Sequence, residues 1–207
     1  MARNFAALMF TPAVKAEQAR RGSRPHYEGS ERTAAGADKL TSEEIAFIAE
    51  RDSFYMASVT SNGWPYVQHR GGPTGFLKVI DESTLAFADY GGNRQYISTG
   101  NFVTDNRVAL IMVDYPKRDR LKLLGRVEVF DAERAVEWIN RLRDRGYDAK
   151  IERVFVIHIQ AFDWNCQQHI VPRFTEDQIR ERLQPLQQQI KALEQENSEL
   201  RARLATP

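Results

Sequence analysis

The 207-residue chain is long enough to bury a full core in one domain, and a second full domain would be crowded once its polar ends are set aside. Its 29 Lys and Arg nearly cancel 28 Asp and Glu, so no overall field favours nucleic acid or an anionic membrane surface. One cysteine, Cys166, excludes an internal disulfide and a Cys-rich zinc site, and no apolar run approaches the about 18 residues that cross a bilayer. The apolar patch from Phe5 to Phe10 has only Arg3 before it and no small-residue cleavage site, which makes it a poor signal peptide. A cytoplasmic protein is expected.

Residues 1–40, rich in Ala, Arg, Gly and Ser, read as an arm with one helix from Pro12 to Arg21, stopped by Gly22. A firm helix starts at Thr41, where Thr41 and Glu44 form a capping box and Leu40 and Ile45 sit where a hydrophobic staple would, and it runs to about Arg51. Next comes a hairpin. Phe54 to Thr60 and Trp64 to Arg70 flank Asn62-Gly63, which supplies the positive φ angles of a type I′ turn. Further strands are expected at Phe76 to Ile80, Leu85 to Asp89, Val108 to Tyr115, Leu121 to Phe130 and Val154 to Phe162. In one of them Leu121, Leu123, Gly125, Val127 and Val129 alternate with Lys122, Arg126 and Glu128, giving one buried and one wet face. Helices are expected from about Asn93 to Val103 and from Ala132 to Arg145, the second ended by Gly146. Six or so antiparallel strands with these helices make a mainly β, α+β fold, a β-barrel with helical insertions over residues 41–174.

The tail, residues 175–207, carries apolar residues at Ile179, Leu183, Leu186, Ile190, Leu193, Leu200 and Leu204, alternately four and three apart. With Leu186, Leu193 and Leu200 at d, the a positions hold Leu183, Ile190, Asn197 and Leu204, and a lone Asn there favours a parallel, in-register dimer. Glu196 at g and Arg201 at the following e are of opposite sign. The alternative is an amphipathic helix packed on its own barrel, which usually shows a wider stripe than a strict a/d seam. Pro185 weakens the first turns, placing the firm start near Leu186.

The segment with most chemistry runs from Gln68-His69-Arg70-Gly71-Gly72 through Gly75-Phe76-Leu77-Lys78 to Ala88-Asp89-Tyr90-Gly91-Gly92-Asn93-Arg94-Gln95. A Gly-Gly pair entering a helix start brings backbone N–H groups, the positive dipole end and the Arg94 guanidinium together, which is an anion site suited to phosphate. Lys78 would add a point charge. An ordinary capped helix with a solvated arginine would look the same locally.

The same segment resembles the pyridoxamine 5′-phosphate oxidase-like family of FMN-binding split barrels, and most closely its flavin-nucleotide-binding branch. Phe76-Leu77-Lys78 and Asn93-Arg94-Gln95 lie at the family's interval, and Gln68-His69-Arg70-Gly71-Gly72 and Asp163-Trp164-Asn165-Cys166 match its other motifs. The resemblance covers about Ser53 to Phe130 and, more loosely, extends to Trp164. It implies FMN as cofactor, with Lys78 and Arg94 on the phosphate helped by Asn93 and Gln95, and Gln68, His69 and Arg70 along the flavin and ribityl chain. It further implies that Phe76, Leu77, Ala88, Asp89 and Arg120 belong to the site. A homodimer with the site at the subunit interface is implied as well, Trp164 and Asn165 arriving from the other chain.

Two departures bear on activity. Gln95 stands where the family often has lysine, and Ile170 and Pro172 stand where the oxidases acting on pyridoxamine phosphate have an Arg-x-His pair. The expected function is therefore an FMN-dependent oxidoreductase acting on a small-molecule substrate or electron donor other than pyridoxamine phosphate. The alternatives are a flavin carrier or redox sensor without turnover, or a split barrel that holds haem or deazaflavin. His26, His69, His158 and His169 show no metal-ligand spacing, so no metal is assigned, and neither His169 nor Cys166 is given a catalytic role.

Overall fold

The computed structural model describes residues 3–31, 36–164 and 167–205. The chain divides into two compact units, Met1–Asp114 with Asp119–Gln168, and Tyr115–Arg118 with His169–Pro207. The first unit contains helices α1 (Arg3–Met9), α2 (Pro12–Arg20), α3 (Arg24–Tyr27), α4 (Ser42–Ala49), α5 (Ile97–Thr104) and α6 (Val136–Leu142). Its strands are β1 (Ser53–Val59), β2 (Pro65–Gly71), β3 (Lys78–Asp81), β4 (Thr84–Tyr90), β5 (Arg107–Asp114), β6 (Asp119–Asp131) and β7 (Ile151–Trp164). They form one antiparallel sheet in the order β2-β1-β5-β6-β7-β4-β3. The mainly β, α+β class is as expected. The seven predicted runs supply seven strands, one more than the rough number from which a barrel was inferred.

The sheet is open between β2 and β3, yet it curls. Phe54 of β1 lies 5.3 Å from Phe87 of β4, centroid to centroid, although three strands separate β1 and β4 in sheet order. Phe87 stacks in turn on Phe155 of β7 at 4.9 Å, and Phe54 stacks on Phe76 at 5.4 Å. The inner faces of β1, β5 and β6 present Phe54, Met56, Leu110, Met112, Leu121 and Leu123, each 2% exposed or less, which is the alternation read from the sequence. Strands β4 and β7 are buried on both faces because α6 covers their outer side: Ala86, Ala88, Val154 and Val156 pack there against Leu142 and Trp138. The small alanines leave room for the helix.

The arm contributes to this unit. Helix α1 lies against β7, Ala6 is 3% exposed, and Phe5 sits under the Lys122 ammonium at 4.5 Å. At the start of α4 both halves of the Thr41/Glu44 capping box are made, and Leu40 is buried while Ile45 is exposed. The helix ends in a buried ion pair, Arg51 to Asp114 of β5 at 2.8 Å.

Three local expectations change. The β1–β2 turn is one residue longer than type I′: only Gly63 has positive φ, its N–H reaches the Thr60 carbonyl at 2.9 Å, and the Trp64 N–H donates to the Thr60 hydroxyl at 2.9 Å. Residues 93–96 precede α5 instead of opening it. Arg94 and Tyr96 have φ of 62° and 53°, and the Asn93 side chain accepts the Gln95 N–H at 3.2 Å, a local bond that competes with helix formation. The helix expected from Ala132 is broken at Ala135 into a short 3-10 turn, Ala132–Arg134, and α6.

In the second unit, Arg173 lies over the Tyr115 ring at 4.8 Å and Arg182 over Phe174 at 4.5 Å. Its main element is α7 (Glu176–Ala205), 30 residues long and continuous through Pro185.

Candidate functional site

A cleft of about 340 Å³ opens at the seam where the edge strand β2 faces β4. One wall is Gln68, His69 and Arg70 of β2, and the opposite wall is Ala88, Asp89 and Tyr90 of β4. Its rim is the segment before α5, with Asn93, Arg94 and Tyr96, and its far side carries Tyr147, Glu152 and Arg153. Phe76 and Phe87 line it from the core. The seam itself explains the site: an unclosed sheet leaves a gap, and side chains rather than backbone bonds bridge it.

Asp89 is the bridge. It is 2% exposed and accepts from Arg70 across the seam on one oxygen, and from Arg153 at 2.6 and 2.9 Å on the other. Arg153 stands directly opposite Asp89 in the β4–β7 register, bonds Glu152 at 3.0 Å and lies over the Tyr96 ring at 4.7 Å. Arg70 lies over the Phe155 ring at 5.2 Å, and its buried Nε has no hydrogen-bond partner. Burial lowers the pKa of Arg70, opposed by the charge of Asp89. Arg153 is raised, because its bonds to Asp89 outweigh its burial. Asp89 and Glu152 balance these two guanidiniums, so the positive excess of the cleft comes from Arg94 on the rim, and an orphaned N–H in such a place costs free energy until something accepts it.

Other polar groups hold the walls. Ser98 of α5 donates to the Gln68 side-chain oxygen at 2.9 Å, fixing β2 against α5. Arg94, exposed, donates to the Tyr96 hydroxyl at 3.3 Å. The pKa of Tyr90 is pushed up to about 12 by burial and by Asp144, to which its hydroxyl donates at 3.3 Å. The glycines divide: a Cβ on Gly72 would strike the Phe76 ring at 2.8 Å, so that residue serves core packing, whereas Gly92 faces open space.

Of the residues singled out in the sequence, Gln68, His69, Arg70, Phe76, Ala88, Asp89, Asn93 and Arg94 line this one cleft. Leu77 is buried in the core, and Gln95 is exposed outside the lining. Lys78 is paired with Asp144 and does not line the cleft. Arg120 stands opposite Val113 on the outer face of the sheet, with its Nε buried and unpartnered. Trp164 packs edge-on against Phe47 at 4.8 Å, and its indole donates to Glu44 at 2.7 Å. Asn165 and Cys166 lie outside the described residues. His158 bonds Glu128 on the neighbouring strand at 3.0 Å, and among the described residues no cluster could hold a metal ion. The sequence reading missed Arg153, Glu152, Tyr96 and Tyr147. Only the β4–β7 register, which sets Arg153 opposite Asp89, could have pointed to the first.

No curated protein matches the chain. Among solved structures it is similar to an FMN-binding protein from Syntrophomonas wolfei, at 13% identity and TM-score 0.48, covering 73% of this chain and 97% of that one. It is also similar to a protein of the pyridoxinephosphate oxidase family from Clostridium acetobutylicum, at 16% identity and TM-score 0.47, covering 66% and 94%. A third is HupZ of Group A Streptococcus, at 14% and 0.46, covering 65% and 100%. The family model described as pyridoxamine 5′-phosphate oxidase matches residues 40–165, from the residue before the Thr41 cap to the end of β7, and so takes in β1 to β7 and the seam cleft. More than half of the chain is matched in that way, and the protein belongs to the pyridoxamine 5′-phosphate oxidase family.

Proposed function

We propose that the seam cleft holds FMN and that the protein is an FMN-dependent oxidoreductase acting on a substrate other than pyridoxamine phosphate. The observation that carries the reading is the cation cluster in a cleft of cofactor size: Arg70 with a buried, unpartnered Nε, Arg153 beside it and Arg94 on the rim. These residues fit a phosphorylated, planar ligand. Arg94 would take the phosphate, because a guanidinium fork binds two of its oxygens, and Arg153, whose Nε and Nη2 are held by Asp89, would add its remaining Nη1. Gln68, His69 and Arg70 would lie along the ribityl chain and the ring, and Tyr96 and Tyr147 offer aromatic faces. Asp89 positions both arginines.

FMN when bound supplies hydride and single-electron chemistry. The chain's own part is to bind, orient and exclude water, and an arginine beside the ring stabilises negative charge that develops there. The substrate exclusion rests on Ile170 and Pro172, neither of which can hold a phosphate or donate a proton from its side chain.

A homodimer is part of the proposal. The outer face of β2, β1 and β5 carries Val67, Tyr55 and Val59 at 60%, 44% and 37% exposure, with Ala57, Ala109 and Ile111 between them in register. A contiguous apolar sheet face of this kind marks an association surface. His69 and Arg120 share it, so a second copy docked there lies next to the cleft and brings its own copy of Arg120.

Purified protein tests the reading. Absorbance at ~450 nm, the cofactor's own band, and FMN as the mass of the released compound are expected. A Soret band or a released deazaflavin would overturn the cofactor, and bound FMN that no donor reduces would favour a carrier. Arg94→Ala is expected to lose FMN while keeping its circular dichroism.

A further inference from the structure

We infer that α7 is a self-association device: two copies of this chain pair through it as a parallel, in-register coiled coil. The inference stands whether or not the cleft binds a flavin. All 30 residues of the helix are exposed, including Ile179, Leu183, Leu186, Ile190, Leu193, Leu200 and Leu204, at 43% to 87%. Seven aliphatic side chains on one seam of a continuous helix are a surface built to be buried.

The seam specifies its occupant. Its period is the heptad's, not the wider stripe of a helix lying on a sheet, so the complementary surface is another helix with the same spacing. Pro185 falls at heptad position c, on the side away from the seam, and the helix runs through it without a break. A lone Asn197 among the aliphatic a positions suits two strands.

Orientation follows from Asn197. In a parallel, in-register pair each a residue meets its own copy, so Asn197 meets Asn197 and the two amides bond each other. In an antiparallel pair a residues pack against d residues, and Asn197 would face leucine or isoleucine with its amide unpaired. Charge agrees. Parallel pairing sets Glu196 at g against Arg201 at e of the other copy, while antiparallel pairing sets Arg180 near Arg201 at e and e.

The test uses the full chain with Cys166→Ser, Leu200→Cys and Val67→Asp, the last removing the proposed sheet contact, treated with a bismaleimide of about 10 Å reach. The two copies of residue 200 lie side by side in the parallel pair and about 30 Å apart in the antiparallel one, at 1.5 Å per residue. Covalent dimer is expected to form in most of the protein and to be lost when Leu193→Asp is added. Absence of cross-linking in folded protein would overturn the inference, as would cross-linking that survives Leu193→Asp.

Discussion

Asp89, Arg70 and Arg153 come from three different strands and meet only because β2 lies across an open seam from β4. With Glu152 on Arg153 their charges balance, and Arg94 on the rim supplies the one positive excess. If Arg153 holds the phosphate, its loss should be felt by FMN and not by riboflavin, which differs only in lacking that group. Arg153→Ala is expected to weaken FMN binding about 10- to 100-fold, the worth of a charge-assisted bond or two, and to leave riboflavin affinity unchanged. Fluorescence titration with both ligands measures this, and an equal loss for both would make Arg153 a structural partner of Asp89 alone. At this scale the sequence was most informative where the site is contiguous: Gln68, His69 and Arg70 adjoin, as do Asn93 and Arg94. Arg153 is 64 positions from Asp89 and is brought to it by strand register, which no local pattern announces.

Helix α4 shows how one capping residue ties an element to the sheet. Glu44 is 4% exposed, closes the capping box with Thr41 and accepts the Trp164 indole N–H. Burial raises its pKa, but the bonds from Thr41 and Trp164 outweigh burial and hold the carboxyl below the usual value. A carboxyl lowered in the folded state contributes stability above its unfolded value, near 4.3, that is lost as pH falls through the folded value. In Glu44→Gln the fall of stability below about pH 5 is therefore expected to be shallower than in the parent, as read from urea midpoints across pH. Parallel profiles would deny Glu44 that role. Strong local chemistry made this element legible: a cap, an apolar run, a stop. The start of α5 was not, since Gly-Gly-Asn reads equally as a helix cap and as a turn, and the Asn93 side chain settles it by bonding the Gln95 N–H. The β1–β2 turn failed for a similar reason, the Thr60 hydroxyl capturing one more residue than Asn-Gly requires.

Two surfaces carry the proposed pairing of copies: the outer face of β2, β1 and β5, and the seam of α7. If both serve the same pair, each makes the other's association intramolecular, and the dimer is tighter than either contact alone. A two-fold axis suits both, because a parallel coiled coil and a face-to-face sheet contact are each self-complementary. Every substitution on such an interface then counts twice. Val67→Asp places two like charges near each other and should cost several kcal/mol at the sheet contact, and Leu193→Asp should do the same at the coil. Each single variant is still expected to run as a dimer of twice 23.8 kDa at micromolar concentration in light scattering, held by the remaining contact. Only the double variant is expected to run as a 23.8 kDa monomer. A parent that runs as a tetramer, with each single variant falling to a dimer, would show instead that the two surfaces join different pairs.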